Sequence, residues 1–327
     1  MQKTIGLYPS LIIASEHLKP HKVKLYMKVV KIREYTGHSG GVYKLTKGFQ
    51  SDHILSFSGD GRVVEWDLKE KDSGMLKAKS EYKFFTGLTS FQDNSCFAGD
   101  MNGSLYQLFF DKKSDNVKAW KTHEKGLFAI VKYHDLLFTG GGDGSLTKWS
   151  MQPFLPKETQ PISTQRIRSL VVDEKRKILI AGSSDSCIYL IDPESMRIIE
   201  KRENAHDSTV FSIIMRDQNT LITGGRDAHI CIWDYPELVL AHRIPAHLFT
   251  VNDLALSPCQ NYFASASRDK EIRIWDAQTF KLMKVIDRIK NGGHINSVNT
   301  ILWDKETGLL CSGSDDRSVL VWEIEVD

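Results

Sequence analysis

The stretch Gly224–Asp234, GGRDAHICIWD, sets a glycine pair and a charged turn ahead of a short apolar run that ends in Trp-Asp. Read alone, it could be a phosphate-cradling loop, a fragment of a catalytic centre or a structural unit. The rest of the chain decides between these. FSGDGRVVEWD ends at Asp67, GGGDGSLTKWS at Ser150, SASRDKEIRIWD at Asp276 and SGSDDRSVLVWE at Glu323. A unit that recurs along one chain is architecture before it is chemistry.

The turn residue six positions before the Trp serves as a ruler. It falls at Asp60, Asp143, Asp227, Asp269 and Asp316. The two double-length gaps each hold a worn copy. AGDMNGSLYQLF places Asn102 at the turn and Leu108 at the Trp position, and AGSSDSCIYLID supplies Asp185 and Ile191. The seven turn residues are then spaced 42, 41, 42, 42, 42 and 47 apart.

Each copy reads as strands. LITGG and HICIWD are alternating apolar runs around a tight charged turn, a hairpin signal. STVFSIIM, FTVNDLALS and NSVNTILW supply a strand upstream, and LVLAHRIPAH and KLMKVID a further strand after the Trp. Four short strands in such a period match one blade of a β-propeller. The expected fold is therefore all-β: seven four-stranded antiparallel blades over residues 23–327, with residues 1–22 as an N-terminal extension. The polar or Pro-containing stretches 69–82 and 151–164 read as surface loops. KLYMKVVKIREY, before the first blade, is an unassigned strand, and blade seven is one strand short; pairing the two closes the ring and removes an exposed edge.

Composition narrows the function. Apolar residues make up 41% and charged residues 26%, as in ordinary soluble proteins. A net charge of +2 gives no global attraction to nucleic acid or membrane, so any polar site is a local patch. Five cysteines scattered singly, without a CxxC pair, point to reduced thiols, a cytoplasmic setting and no metal pattern. The N-terminal apolar run is short and interrupted by Pro9, which argues against a secretion signal, and no run reaches transmembrane length. His17 and His21 have an i, i+4 spacing, but Pro20 disfavours the helix that would align them on a metal. The charge-rich KEKDSGMLKAKSEYK reads as a solvated loop rather than a docking peptide.

Two further positions follow the ruler. Four residues before the turn Asp stand Ser56, Thr139, Thr223, Ser265 and Ser312. Between 20 and 22 residues before it stand His38, His123, His206, His247 and His294. The worn copies have Ala98 and Ala181 at the hydroxyl position and lack the His. On this co-occurrence, from about Val23 onward, the chain resembles the WD-repeat β-propeller family, and among its members most of all the compact, stand-alone bacterial WD-repeat proteins, while nothing in the sequence excludes a subunit of a eukaryotic complex.

The resemblance implies a structural hydrogen-bond tetrad in five blades. These are His38/Ser56/Asp60/Trp66, His123/Thr139/Asp143/Trp149, His206/Thr223/Asp227/Trp233, His247/Ser265/Asp269/Trp275 and His294/Ser312/Asp316/Trp322. A buried turn carboxylate needs donors, the His ring supplies one, the hydroxyl relays it and the indole N–H ends the chain. Blades two and four are expected to hold by apolar packing alone. Five copies of Ser/Thr, His and Asp, each with a Trp where substrate would need room, are not a catalytic triad. TGGGDGS at 139–145 lacks the Lys-Ser/Thr and the helix of a phosphate loop.

The resemblance also implies a rigid, non-catalytic platform for protein partners, without cofactor, using the face that carries the His loops around the central channel. One position per blade follows the residue that opens the innermost strand: Tyr43, Gly87, Phe128, Arg168, Phe211, Asn252 and Asn299. The other precedes the turn residue: Gly59, Met101, Gly142, Ser184, Arg226, Arg268 and Asp315. Arg166 shares the side of Arg168. The candidate partner site is therefore Tyr43, Phe128, Arg166, Arg168, Phe211, Arg226 and Arg268, a cationic crescent beside aromatics that suits an acidic peptide or loop. The alternative is a small-molecule-binding or enzymatic propeller that uses the channel.

Overall fold

A computed structural model describes residues 27–71, 74–92, 94–110 and 117–326. His17, His21 and the N-terminal extension lie outside the described residues. The strands form seven four-stranded antiparallel sheets. Blades one to six run in chain order from the inner to the outer strand: Val42–Lys79, Phe84–Lys121, Leu127–Pro161, Ile167–Arg202, Val210–Pro245 and Val251–Ile286. Blade seven takes its three inner strands from Val298–Val326 and its outer strand from Met27–Tyr35. Met27 lies opposite Val326 and Tyr35 opposite Val319, so the first described strand closes the ring as the sequence predicted. Tyr35 also fastens this strand to blade one. Its hydroxyl donates to the Asp67 carbonyl at 2.6 Å, and its ring stacks on Trp66 at 5.1 Å.

The core lies between blades rather than within them. Among the described residues the buried apolar side chains fall into seven clusters, and each joins two neighbouring blades. Phe57 and Leu55 of blade one meet Phe84 and Leu108 of blade two, and Leu310 and Trp322 of blade seven meet Ala264 and Ile274 of blade six. No blade buries its face alone, so each depends on both neighbours.

The turn that opens GGRDAHICIWD shows why the repeat keeps its register. The residue after the turn position has a left-handed backbone in every blade: Gly61, Gly103, Gly144, Ser186, Ala228, Lys270 and Arg317. Only glycine adopts this without steric cost. In six blades the turn Asp holds the conformation by accepting the N–H two residues on, as Arg62 donates to Asp60 at 3.0 Å and His229 to Asp227 at 3.2 Å. In blade two Asp100, two residues earlier, accepts from Asn102 and Ser104 instead.

Two segments expected as loops contain outer strands, Met75–Lys79 and Phe154–Pro161. An outer strand has one hydrogen-bonding neighbour and solvent around it. Its sequence therefore carries little apolar alternation, and Pro156 and Pro161 are tolerated on the free edge. The solvated loop expected at KEKDSGMLKAKSEYK is in part the first of these strands.

Candidate functional site: the His-loop face and the channel mouth

The site rests on the tetrads beneath it. In blade five His206 Nδ1 lies 2.9 Å from Asp227, His206 Nε2 2.8 Å from Thr223 Oγ1, and the Trp233 indole donates to the same hydroxyl at 2.9 Å. Blades one, six and seven repeat this with His–Asp contacts of 3.1, 2.9 and 2.9 Å. In blade three a serine is inserted: Ser145 Oγ donates to Asp143 at 2.6 Å and lies 2.8 Å from His123 Nδ1, while His123 and Asp143 stand 3.5 Å apart. The order of donors follows from the partners. The indole can only donate and the carboxylate can only accept, so the hydroxyl gives its hydrogen to Nε2 and the imidazole N–H points at the Asp or, in blade three, at the Ser145 hydroxyl that donates to Asp143. Burial holds His38 and His123 below the usual imidazole range, in keeping with neutral rings. For Asp227, burial pushes the carboxyl up, but the His206 ring and the N–H groups of Asp207 and His229 more than offset it and leave it well below the carboxylate range.

Trp149 ends the blade-three hydrogen-bond chain that the sequence reading assigned to it, and it is a core residue as well. Its indole donates to the Thr139 hydroxyl at 3.1 Å. The ring is fully buried between blades two and three, stacked on Phe154 at 5.1 Å and packed with Phe97 and Leu127. Trp233 and Trp322 are buried in the same way in their own inter-blade clusters. A large flat ring with a single polar atom fills the gap between two blades once that one donor is satisfied. These tryptophans support the face without reaching a ligand on it.

The expectation that blades two and four rely on apolar packing alone is corrected as well. Each has a tyrosine four residues after the turn position, cross-strand from the alanine that replaces the tetrad hydroxyl: Tyr106 opposite Ala98 and Tyr189 opposite Ala181. Paired positions share a sheet face, so the missing hydroxyl leaves room for the ring. Tyr189 donates to Asp185 at 2.5 Å, joined by Ser163 Oγ at 2.7 Å from the vacant His position. Tyr106 donates to Asp100 at 3.0 Å. The hydroxyl has moved from the second strand of the blade to the third.

Above the tetrads, the second residue of each inner strand is the extra residue of a β-bulge in all seven blades: Tyr43, Phe85, Phe128, Arg168, Phe211, Asn252 and Asn299. A bulge re-aims a side chain out of the strand's alternation, and all seven line the mouth of the channel, a cavity of about 770 Å³. They form a belt. Asn252 donates to the Val298 carbonyl at 2.8 Å and Asn299 to the Val42 carbonyl at 3.2 Å. Tyr43 meets Phe85 edge-on at 5.5 Å, and Phe85 stacks on Phe128 at 5.2 Å. The Arg168 guanidinium then sits between Phe128 and Phe211, 4.5 and 4.4 Å from their centroids.

Blade two's belt residue is thus Phe85, not Gly87. Gly87 abuts the Phe57 ring of blade one, where a Cβ would approach to 2.3 Å. The ruler could have found this, because Phe85 stands 17 residues before Asn102, as Tyr43 does before Asp60. Tyr43, Phe128 and Phe211 are half-buried and engaged by neighbouring belt residues rather than freely exposed.

Arg226 and Arg268 are exposed on the turns, and Arg166 lies over Phe128 at 5.9 Å. Among the described residues none of Arg166, Arg168, Arg226 and Arg268 meets a carboxylate within ion-pair distance. The two acids of the mouth are engaged elsewhere. Asp253 accepts from Ser212, Thr300 and the Ile301 N–H and lies 3.8 Å from Lys44, and Asp315 accepts from Asn299 at 2.7 Å. Sequence reasoning missed an apolar group on the same face: Leu248 (78% exposed), Phe249 (58%) and Ile295 (53%). Leu248 and Ile295 directly follow tetrad histidines, where blades one, three and five carry Ser39, Glu124 and Asp207. Their backbone N–H groups donate to Asp269 and Asp316, each at 3.0 Å, which fixes the loops that display them.

Comparison with known proteins agrees with this geometry. The model of the "WD domain, G-beta repeat" matches residues 29–67, 199–234, 238–276 and 284–323, which take in four of the five tetrad turns. The chain is 24% identical over 90% of its length to the ribosome biogenesis protein YTM1 of Lodderomyces elongisporus, 21% over 95% to protein tipD of Dictyostelium discoideum and 22% over 88% to actin-interacting protein 1 of Drosophila melanogaster. It spans 67%, 50% and 54% of those proteins. In structure it is similar to the WD40 β-propeller domain of Doa1, with a TM-score of 0.81 and 16% identity, over 91% of this chain and 97% of that one. Blades two to four escape the family model, yet they are built to the same plan, and the chain belongs to the WD-repeat β-propeller family.

Proposed function

We propose that this protein is a non-catalytic interaction scaffold that binds an acidic peptide or loop of a protein partner across the His-loop face, in the cytoplasm. The observation that carries the reading is the set of four arginines without internal carboxylates around the mouth, beside an apolar group held on fixed loops. Guanidinium forks pair bidentately with carboxylates, and apolar side chains on rigid loops add burial at little ordering cost. WD-repeat relatives with names such as ribosome biogenesis protein and actin-interacting protein favour work in protein assemblies. Five free cysteines suit a reducing compartment. No helix among the described residues is long and apolar enough to cross a membrane.

The test is a quantitative pull-down with the wild type and an Arg226→Glu/Arg268→Glu variant that keeps its melting temperature. Loss of the enriched partners from the variant supports the reading. Their full retention moves the interface off this face.

A further inference from the structure

Resting on that reading, we infer that the channel mouth takes a phosphate monoester carried by the acidic segment, gripped between Arg166 and Arg168. Both faces of the Arg168 guanidinium are covered by Phe128 and Phe211, so only its edge is left to meet a ligand. Its Nε is buried and has no hydrogen-bond partner. A buried donor of this kind in a sound fold calls for an explanation, and a bound acceptor is one. Arg166 lies against the same Phe128 ring, so two cations share one wall of the cavity. Burial, and then the neighbouring Arg166, push the Arg168 guanidinium down to about 10, a further sign that the pair lacks a counter-charge.

The number of charges selects the ligand. One carboxylate balances one guanidinium. A phosphate monoester carries close to two negative charges at neutral pH and offers three acceptor oxygens, enough for both arginines. The acids of the mouth cannot do this, since Asp253 and Asp315 are held by donors from blades five to seven. The aromatic pair around Arg168 keeps its fork in one orientation and reduces the ordering needed on binding.

The test is the shift in melting temperature of the full chain with inorganic phosphate, with acetate at matched ionic strength, and with a short acidic peptide carrying either one phosphoserine or a glutamate in its place. The wild type should be stabilised saturably by phosphate and not by acetate, and should bind the phosphoserine peptide at least about tenfold more tightly than the glutamate peptide. Arg168→Gln and Arg166→Gln should each remove that preference. If Arg168→Gln loosens the belt and lowers the unliganded melting temperature, Arg168→Lys keeps the charge without the fork and should still lose most of the preference. Equal responses to phosphate and acetate overturn the phosphate assignment, as does a preference that survives both Gln variants. Either result leaves the acidic-segment reading to the pull-down, which depends on Arg226 and Arg268 instead. Response to inorganic phosphate without preference for the phosphoserine peptide means a free-anion site and overturns the partner-borne phosphate.

Discussion

Two layers of the same loops treat polar groups in opposite ways. In the tetrad layer each donor of His206, Thr223 and Trp233 has an acceptor, and Asp227 collects a ring N–H and two backbone N–H groups. One residue away, Arg226 projects into solvent with no carboxylate within reach. The same adjacency recurs at Asp269 and Arg268. Internally satisfied polar groups hold a fold, whereas cations left without partners on a rigid rim are available to something else. The difference separates the residues that make the platform from those that would use it.

The largest effect is expected from the ring itself. Deleting residues 1–35 removes the outer strand of blade seven and uncovers the edge at Val319–Val326. The product should aggregate instead of melting cooperatively, as size-exclusion chromatography and calorimetry would show. A soluble, cooperative folder would mean that closure contributes little.

Within the tetrad layer, Trp275→Ala removes a buried aromatic and the donor to Ser265, and should cost about 3–5 kcal/mol in urea unfolding. Tyr189→Phe deletes only a hydroxyl from the substitute network of blade four and should cost about 1–2 kcal/mol. A zero cost for Tyr189→Phe would restore the view that this blade is held by apolar contacts alone.

Acid should separate the layers further. His38 and His123 sit below the usual imidazole range because of burial, so the unfolded chain takes up protons first, and stability should begin to fall as pH drops through about 6.5. The turn aspartates are held low as well: burial raises them, and their hydrogen bonds and histidine neighbours lower them by more. Their contribution is complete above about pH 4 and is lost as pH falls through their folded values. Urea midpoints that stay flat from pH 7 down to pH 5 would contradict neutral rings at His38 and His123. The smallest effect is a gain: Arg317→Gly relieves a left-handed non-glycine turn residue and should add about 1 kcal/mol.

Much of this was legible in the sequence, because the signals were periodic. The turn spacing gave seven blades, and joint occurrence of His, hydroxyl, Asp and Trp marked five tetrads. What escaped lay where one constraint substitutes for another. Tyr106 and Tyr189 stand at a position that elsewhere holds Val64, Thr147, Cys231, Arg273 and Leu320, so no single type marks it. Outer strands such as Met75–Lys79 face solvent and lose the apolar alternation that identifies inner ones. The ring contacts of the belt escaped as well, because contacts between blades do not appear in the local sequence. Leu248 and Ile295 lay in plain sight as apolar residues at a position otherwise polar, but only the fold puts them on one face.

The most direct test sets two neighbours side by side. Asp227→Ala and Arg226→Ala would each be measured for melting temperature and for binding of the partner recovered by the wild type. Asp227→Ala should lose about 3 kcal/mol of stability, because it strands His206 and two backbone N–H groups. Arg226→Ala should melt like the wild type and bind the partner more weakly. An Arg226→Ala variant that loses stability, or one that keeps full affinity, would contradict the division between platform and binding rim.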